Sequence, residues 1–378
     1  MANLVDIAEL AESLESQAIH VVEDRCVVVR NRNAKCRKCH QVCPVEALTI
    51  SDNTLLLDHS ACISCGACSV VCPTEALIPL RPLDKELVNS IVNATLINEG
   101  KAVFACARIA AKRLVNHNSF AEVPCLARIE ESLLCGLAAQ GIENIFLVDG
   151  VCSTCKYHAC EQGINETVES ANTLIRAMGG SSEVLRLSRF PAGLSTENVY
   201  ESYGVSRRRF FSRTKGEAKM KAGKTASTIL DAALQEKVAT LQQRLGITEV
   251  GSLPRFEAIR RITTLDAMDC IGRPVVIEID TRLWGNVHID SDTCNACHMC
   301  TVFCPTGALE KVKREEGGTG IAFTPSLCVQ CRTCEDICLK KCLTVSSVVP
   351  LKDLFSFEPR VNVPSNHAEG HNLRNGII

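Results

Sequence analysis

Residues 294–305 read Cys-Asn-Ala-Cys-His-Met-Cys-Thr-Val-Phe-Cys-Pro, and residues 328–338 repeat the beat as Cys-Val-Gln-Cys-Arg-Thr-Cys-Glu-Asp-Ile-Cys. Cys294, Cys297, Cys300 and Cys304, and again Cys328, Cys331, Cys334 and Cys338, follow Cys-x2-Cys-x2-Cys-x3-Cys, the ligand rhythm of a [4Fe–4S] cubane. The same rhythm stands at Cys62, Cys65, Cys68 and Cys72. A less regular copy occupies Cys26, Cys36, Cys39 and Cys43, so that sixteen of the 24 cysteines fall into four runs. Three cysteines two apart wrap a short loop around one cluster, and the fourth is carried to its neighbour, with Pro44, Pro73 and Pro305 stopping the turn from running on.

On that rule each pair of runs holds two clusters crosswise. Cys43 joins Cys62, Cys65 and Cys68; Cys338 joins Cys294, Cys297 and Cys300; Cys304 joins Cys328, Cys331 and Cys334. Asn33 stands where the first run wants a cysteine, so its cluster either takes Cys26 with Cys36, Cys39 and Cys72 or holds three irons. Cys26 is the favoured reading. Cys342 is extra, and reads as a spare buried thiol. The repeats CPVEAL, CPTEAL and CPTGAL after Cys43, Cys72 and Cys304 predict short helix starts.

The chain has 378 residues, a net charge of −2, and 46% apolar but only 4% aromatic residues, which predicts two or three domains with small cofactor-filled cores. Near-neutral charge gives no reason to expect nucleic acid or an anionic membrane as partner, and no apolar stretch predicts a transmembrane segment. The opening residues MANLVDIAELAESLESQ read as an acidic amphipathic helix rather than an export signal. A cytoplasmic location follows as the expectation, since in a reducing compartment clustered cysteines bind metal rather than one another.

Between the cysteine pairs the period changes. Lys101 to Ala105 and Asn144 to Val148 read as buried strands and Ile129 to Gly141 as a helix. A second helix runs from about Asn165 to Met178, and Glu183 to Leu187 reads as a third strand. This order predicts a small α/β layer with parallel strands and ligands at their carboxyl ends. Cys106, Cys125, Cys152, Cys155 and Cys160 fall there. Cys135 and Cys270 read as ordinary core residues, the latter before a predicted strand, PVVIEI.

The strand ending at Cys106, then VPC with Arg128, then GIENIFLVDGVCSTCKYHAC leading into EQGIN, resembles the delta subunit of methyl-viologen-reducing hydrogenase. The resemblance covers about a quarter of the chain. It implies a [2Fe–2S] cluster on Cys106, Cys125, Cys155 and Cys160, although Cys152 falls outside the family pattern and a second cysteine near Cys106 is missing. Structural zinc on Cys152, Cys155, His158 and Cys160 is the alternative, and a redox-active Cys152–Cys155 dithiol a third. The two ends are similar to two-cluster bacterial ferredoxins.

The expected fold is thus α+β, ferredoxin-like dicluster units over 1–98 and 269–355. An α/β domain over 99–190, a basic and helical linker over 191–268 and a tail over 356–378 complete it. The linker holds a predicted amphipathic helix from Thr225 to Leu245 and a shorter helix reaching Ala267. Haem-attachment matches at Cys36 and Cys294, a loose phosphate loop at 218–225 and a twin-arginine match at 206–211 fail on context. The expected function is an electron-transfer subunit with four [4Fe–4S] clusters and one [2Fe–2S] cluster, doing no substrate chemistry alone. Its implied partner is a catalytic oxidoreductase subunit: a hydrogenase, a molybdenum or tungsten enzyme, or a heterodisulfide-reductase-like enzyme. The rival is a thiol or disulfide reductase that the clusters feed and that uses the middle cysteines.

Overall fold

Each cysteine-rich unit is closed by an antiparallel strand pair that brackets its hairpin. In the amino-terminal unit Ile19–Val21 runs antiparallel to Leu77–Pro79, with Ile19 opposite Pro79. In the carboxyl-terminal unit Asn286–Ile289 pairs the same way with Leu343–Ser346. Inside each pair lies a hairpin: Leu48–Ser51 with Thr54–Leu57, and Leu309–Lys313 with Thr319–Phe323. Asp52 and Asn53 both take positive φ (48° and 60°), which suits a two-residue turn to the twist of the strands it joins. The structure, a computed structural model, describes residues 18–196, 253–314 and 318–365. The expected helices at the start of the chain and at Thr225 to Leu245, with the 206–211 and 218–225 motifs, lie outside them.

The CPVEAL, CPTEAL and CPTGAL repeats do not open helices. They are tight turns that run into the Leu48–Ser51, Leu77–Pro79 and Leu309–Lys313 strands, because the third residue after each cysteine adopts positive φ and reverses the chain. The carboxyl-terminal unit also reaches further than its sequence suggests. Arg360–Asn362 adds a third strand to the hairpin, held by the Arg360 guanidinium over the Phe323 ring (5.2 Å) and by its ion pair with Asp353 (3.3 Å).

In sequence between the two units lies a four-stranded, wholly parallel sheet in the order Ala121–Val123, Ala102–Cys106, Asn144–Val148, Glu183–Leu187. Ala102 to Ala105 are fully buried, which explains why their sequence is a continuous apolar run rather than an alternating one. The helix Asp84–Ile97 packs on this strand, and Cys160–Ala177 packs on Glu183–Leu187. Glu131–Ala139 packs against Cys160–Ala177 and, more extensively, against Ile259–Ile271.

The Ile259–Ile271 helix is therefore part of a packed layer. It buries Leu265, Ala267 and Met268 in the same core as Leu134, Trp284, Val349 and Leu351, so the carboxyl-terminal unit and the sheet share one interior. Two expectations fail here. The PVVIEI segment forms a strand only at Glu278–Asp280, and Val275 and Ile277 are 64% and 86% exposed, because Val275 is tied by its N–H to the Ala177 carbonyl on the surface. Cys270 is exposed, since it lies on the outer face of its helix, whereas Cys135 is fully buried as expected.

Arg260 fastens this helix to the amino-terminal unit. Its guanidinium reaches Glu130 (2.7 Å), Glu75 (3.8 Å) and the Cys72 carbonyl (3.0 Å), all mostly buried. Removing one partner of a buried pair strands the other charge. Arg260→Ala is expected to destabilise the protein by about 3–5 kcal/mol, measured by anaerobic denaturant unfolding, with Arg260→Lys retaining part of the loss.

Candidate metal centres

The three regular cysteine loops share one backbone solution. The residue before the second cysteine and the residue after it both take left-handed φ: Ser64 and Gly66 (60° and 75°), Ala296 and His298 (51° and 58°), Gln330 and Arg332 (54° and 59°). The second of each pair is the N-cap of a helical turn, Ala67–Val71, Met299–Val302 or Thr333–Ile337, which carries the third cysteine. Three residues past the fourth cysteine the left-handed conformation returns, at Glu46, Glu75, Gly307 and Lys341. Among the described residues, eight of the fourteen non-glycine residues with positive φ lie in these loops. Each costs of order 1 kcal/mol, so their concentration marks the loops as the place where geometry is being forced.

The forced turns aim backbone N–H groups at sulfur. Ala47 donates to Cys43 Sγ (3.3 Å), Ala76 to Cys72 Sγ (3.3 Å) and Leu309 to Cys304 Sγ (3.4 Å). Such bonds stabilise thiolate and tune a bound cluster. The first run lacks only the left-handed pair around its second cysteine, as Arg37 has φ −133° and Asn33 is exposed, its N–H held by the Asn31 side chain. Cys26 stands in instead, at the N-cap of Val27–Arg30, where the N–H groups of Val28 and Val29 face its sulfur.

The fold brings the thiols together in fours. Burial pushes Cys39 up to about 12, reinforced by the charges of Cys72, Cys36 and Cys26: the Cys26 set. Burial likewise raises Cys68, followed by Cys65, then Cys39 of the neighbouring set, then Cys62 and Cys43: the Cys43 set. Cys300 rises to about 12 by burial and by Cys294 and Cys297, with Cys304 and Cys338 behind: the Cys294 set. Cys334 rises by burial, then by Cys331, Cys328 and Cys304: the Cys304 set. Cys342 sits 3.5 Å from Cys338 and beside Cys294, its thiol also pushed up to about 12 by burial and by its hydrogen bond to Cys338.

A buried space crowded with four sulfurs resists ionisation unless positive charge is placed among them, and ligated thiols are deprotonated outright. The donor sets therefore suit a polycationic iron–sulfur core. Among the described residues no three His, Cys, Asp or Glu side chains lie close enough together to hold a single metal ion. A cubane spreads its four thiolates over four irons and asks for wider spacing. The zinc arrangement on Cys152, Cys155, His158 and Cys160 is not assembled.

The middle cysteines gather at the carboxyl ends of the parallel strands. Cys106 ends the Ala102–Cys106 strand, its sulfur facing the N–H groups of Ile109 and Arg108 and its thiol donating to the Asp149 carbonyl (3.2 Å). Cys152 follows the Asn144–Val148 strand. These two strands flank the point where the sheet order reverses, the position at which open α/β sheets hold ligands. Cys125 is drawn down to about 7, first by a hydrogen bond from the Cys160 thiol and then, against its burial, by the N–H groups of Ala127 and Leu126. Cys152 is pushed up to about 12 by burial and by Asp149, with Cys125 and Cys106 as further neighbours.

Cys155, the ligand that the family resemblance implies, is not among the charges that shift these four. Its sulfur takes the Tyr157 N–H (3.5 Å). Cys152 occupies the nearer place because Val151 takes left-handed φ (75°) and turns the chain inward. The residues that secure this turn carry no motif. Asp149 accepts from the Val151 N–H (2.6 Å) and from Arg186 Nε (2.5 Å), and Arg108 donates to the Val151 carbonyl (2.9 Å) and to Thr154 Oγ1 (2.8 Å). An Asp-Gly at a strand end was the available signal.

Residues 34–76 match the 4Fe-4S dicluster domain family, and residues 287–310 match the 4Fe-4S binding domain family. No curated protein and no solved structure gives a significant match to the chain. The chain thus carries a ferredoxin-type 4Fe–4S domain towards each end, consistent with an iron–sulfur electron-transfer role, around a parallel-sheet region. Cys26 lies outside the first match. Cys26→Ser is expected to lower bound iron by about four per chain, whereas Cys342→Ser leaves it unchanged; iron and sulfide analysis of anaerobically prepared protein decides both.

Proposed function

We propose that the chain is an electron-transfer subunit of a larger oxidoreductase. The observation that carries this reading is the gathering of mostly buried or half-buried sulfurs into four crosswise quartets, three of the four cysteine runs being built on forced left-handed loops. In this reading the Cys26, Cys43, Cys294 and Cys304 sets each hold one [4Fe–4S] cluster. Cys106, Cys125 and Cys160, with Cys152 or Cys155, hold a [2Fe–2S] cluster. When bound, such clusters take up and release single electrons at potentials set by net charge, hydrogen bonds to sulfur and exposure. The chain's own part is to hold the thiolates, to donate N–H bonds from Ala47, Ala76 and Leu309, and to bury the sets away from water.

Each unit has its own level of burial and its own neighbouring charges, so one polypeptide is able to grade a path. The resemblance of the middle region supports a catalytic partner such as a hydrogenase, a molybdenum or tungsten enzyme, or a heterodisulfide-reductase-like enzyme, in the cytoplasm. Among the described residues no helix is long and apolar enough to cross a membrane. The Cys125–Cys160 contact favours one second reading, a thiol or disulfide reductase fed by the clusters.

Anaerobic protein is expected to contain about eighteen irons, from four cubanes and one two-iron site. It should be reduced reversibly by a low-potential donor. About sixteen irons would remove the two-iron site. Loss of the two-iron EPR signal in Cys160→Ser supports the relay, and intact cluster spectra with loss of disulfide-reducing activity support the reductase.

A further inference from the structure

The two cysteine-rich ends of the chain are not separate. Cys331 packs against the core of the amino-terminal unit, which includes Cys39 and Val28 and on which Cys36 also packs. The Lys35 N–H donates to Asp336 Oδ2 (2.8 Å), and Arg30 donates to the Pro254 carbonyl (2.7 Å). Two cations bridge the seam: Lys38 lies near both Cys36 and Cys331, and Arg30 near both Cys304 and Cys331. Cys331 in turn feels the charge of Cys36.

A second junction lies on the other side of the amino-terminal unit. The Cys160 thiol sits against Cys65 as well as Cys125, so the Cys43 set and the middle set touch. Gly66, next to Cys65, is pressed so closely on Arg128 that a Cβ there would meet its side chain at 2.7 Å. Within the units, Cys39 neighbours Cys68, and Cys300 neighbours both Cys304 and Cys334.

From these contacts, and resting on the electron-transfer reading above, we infer that the five cysteine sets form a single series. The order is the middle set, the Cys43 set, the Cys26 set, the Cys304 set and the Cys294 set, with the Cys36–Cys331 junction as the crossing between the two ends of the chain. Sequence order would instead place the middle set between the two units. The fold moves it to one end, and leaves the Cys294 set at the other, where Cys297 is exposed. A low-potential one-electron donor supplies one end and an oxidised one-electron acceptor drains the other. At each junction one side loses the electron that its neighbour gains, and no bond forms, no bond breaks and no proton moves. Lys38 and Arg30 place positive charge where electrons cross, which favours the reduced state on both sides of the seam.

The test uses the full chain, prepared without oxygen, reduced in steps with viologen-mediated dithionite and followed by EPR relaxation. Dismantling the Cys304 set with Cys328→Ala and Cys334→Ala is expected to slow spin relaxation of the Cys26-set signal several-fold and to leave the two-iron signal unchanged. Unchanged relaxation of the Cys26-set signal overturns the series, as does an equal effect from Cys294→Ala with Cys297→Ala. Lys38→Met leaves every ligand in place and is expected to lower the midpoint potentials of the Cys26 and Cys304 clusters together. A shift confined to one of them overturns the proposed crossing. Iron analysis on the same samples separates this from failure of the underlying reading, because parent protein that binds almost no iron sinks the clusters themselves rather than their order.

Discussion

Mutual repulsion among buried sulfurs is the constraint that organises this protein. Each quartet gathers four ionisable thiols, most of them buried or half-buried, and Lys38 and Arg30 at the seam are not all that the fold sets against them. It adds backbone N–H groups, obtained by holding Glu46, Glu75, Gly307 and Lys341 in left-handed conformations that an ordinary turn would avoid. Local strain is tolerated because it aims dipoles at sulfur, and a metal core supplies the rest of the positive charge. The short strands around each quartet bury few large side chains, in line with the low aromatic content.

The parallel sheet follows a different logic, being cohesive through ordinary apolar packing. Phe104, Leu134, Ile145, Leu147 and Ile175 are all buried in one core that extends to Trp284 and Leu354. That core gives the weaker cysteine units something to lean on. Arg128 and Arg260 do the leaning: the first is buried against Gly66 and paired with Asp84, and the second spans Glu75, Glu130 and the Cys72 carbonyl. Buried guanidinium groups with several acceptors fix orientation as well as distance. The separation between sets is therefore a property of the packed body.

Much of this was legible in the sequence. Asn144–Val148 and Glu183–Leu187 appear at their expected bounds: the first is an apolar run in the middle of the sheet, and the second, on its edge, carries Val184 as its buried anchor. The gap at Asn33 pointed to Cys26, which the structure places beside Cys36, Cys39 and Cys72. Other features left no local trace. The Ala121–Val123 strand is too short to show a period, and Val275 to Ile277 look like a strand but lie on the surface. Cys270 and Cys135 have similar apolar surroundings in sequence, and only helix packing tells the exposed one from the buried one. That Cys152 lies near Cys125 and Cys106 depends on Val151 adopting positive φ, held locally by Asp149 and across 43 residues by Arg108. The packing of Cys331 on the amino-terminal core is a tertiary fact that no spacing rule contains.

The bracketing of each unit by an early and a late strand sets a timetable for synthesis. The amino-terminal unit has all its strands once Leu77–Pro79 has been made, so it is able to close while the remainder of the chain is still on the ribosome. The carboxyl-terminal unit must wait for Leu343–Ser346, and the common interior must wait for Val349, Leu351 and Leu354. Until then the sheet presents an uncovered apolar side. Closure of the molecule is thereby staged from one end to the other, with the late half dependent on the strands that arrive last.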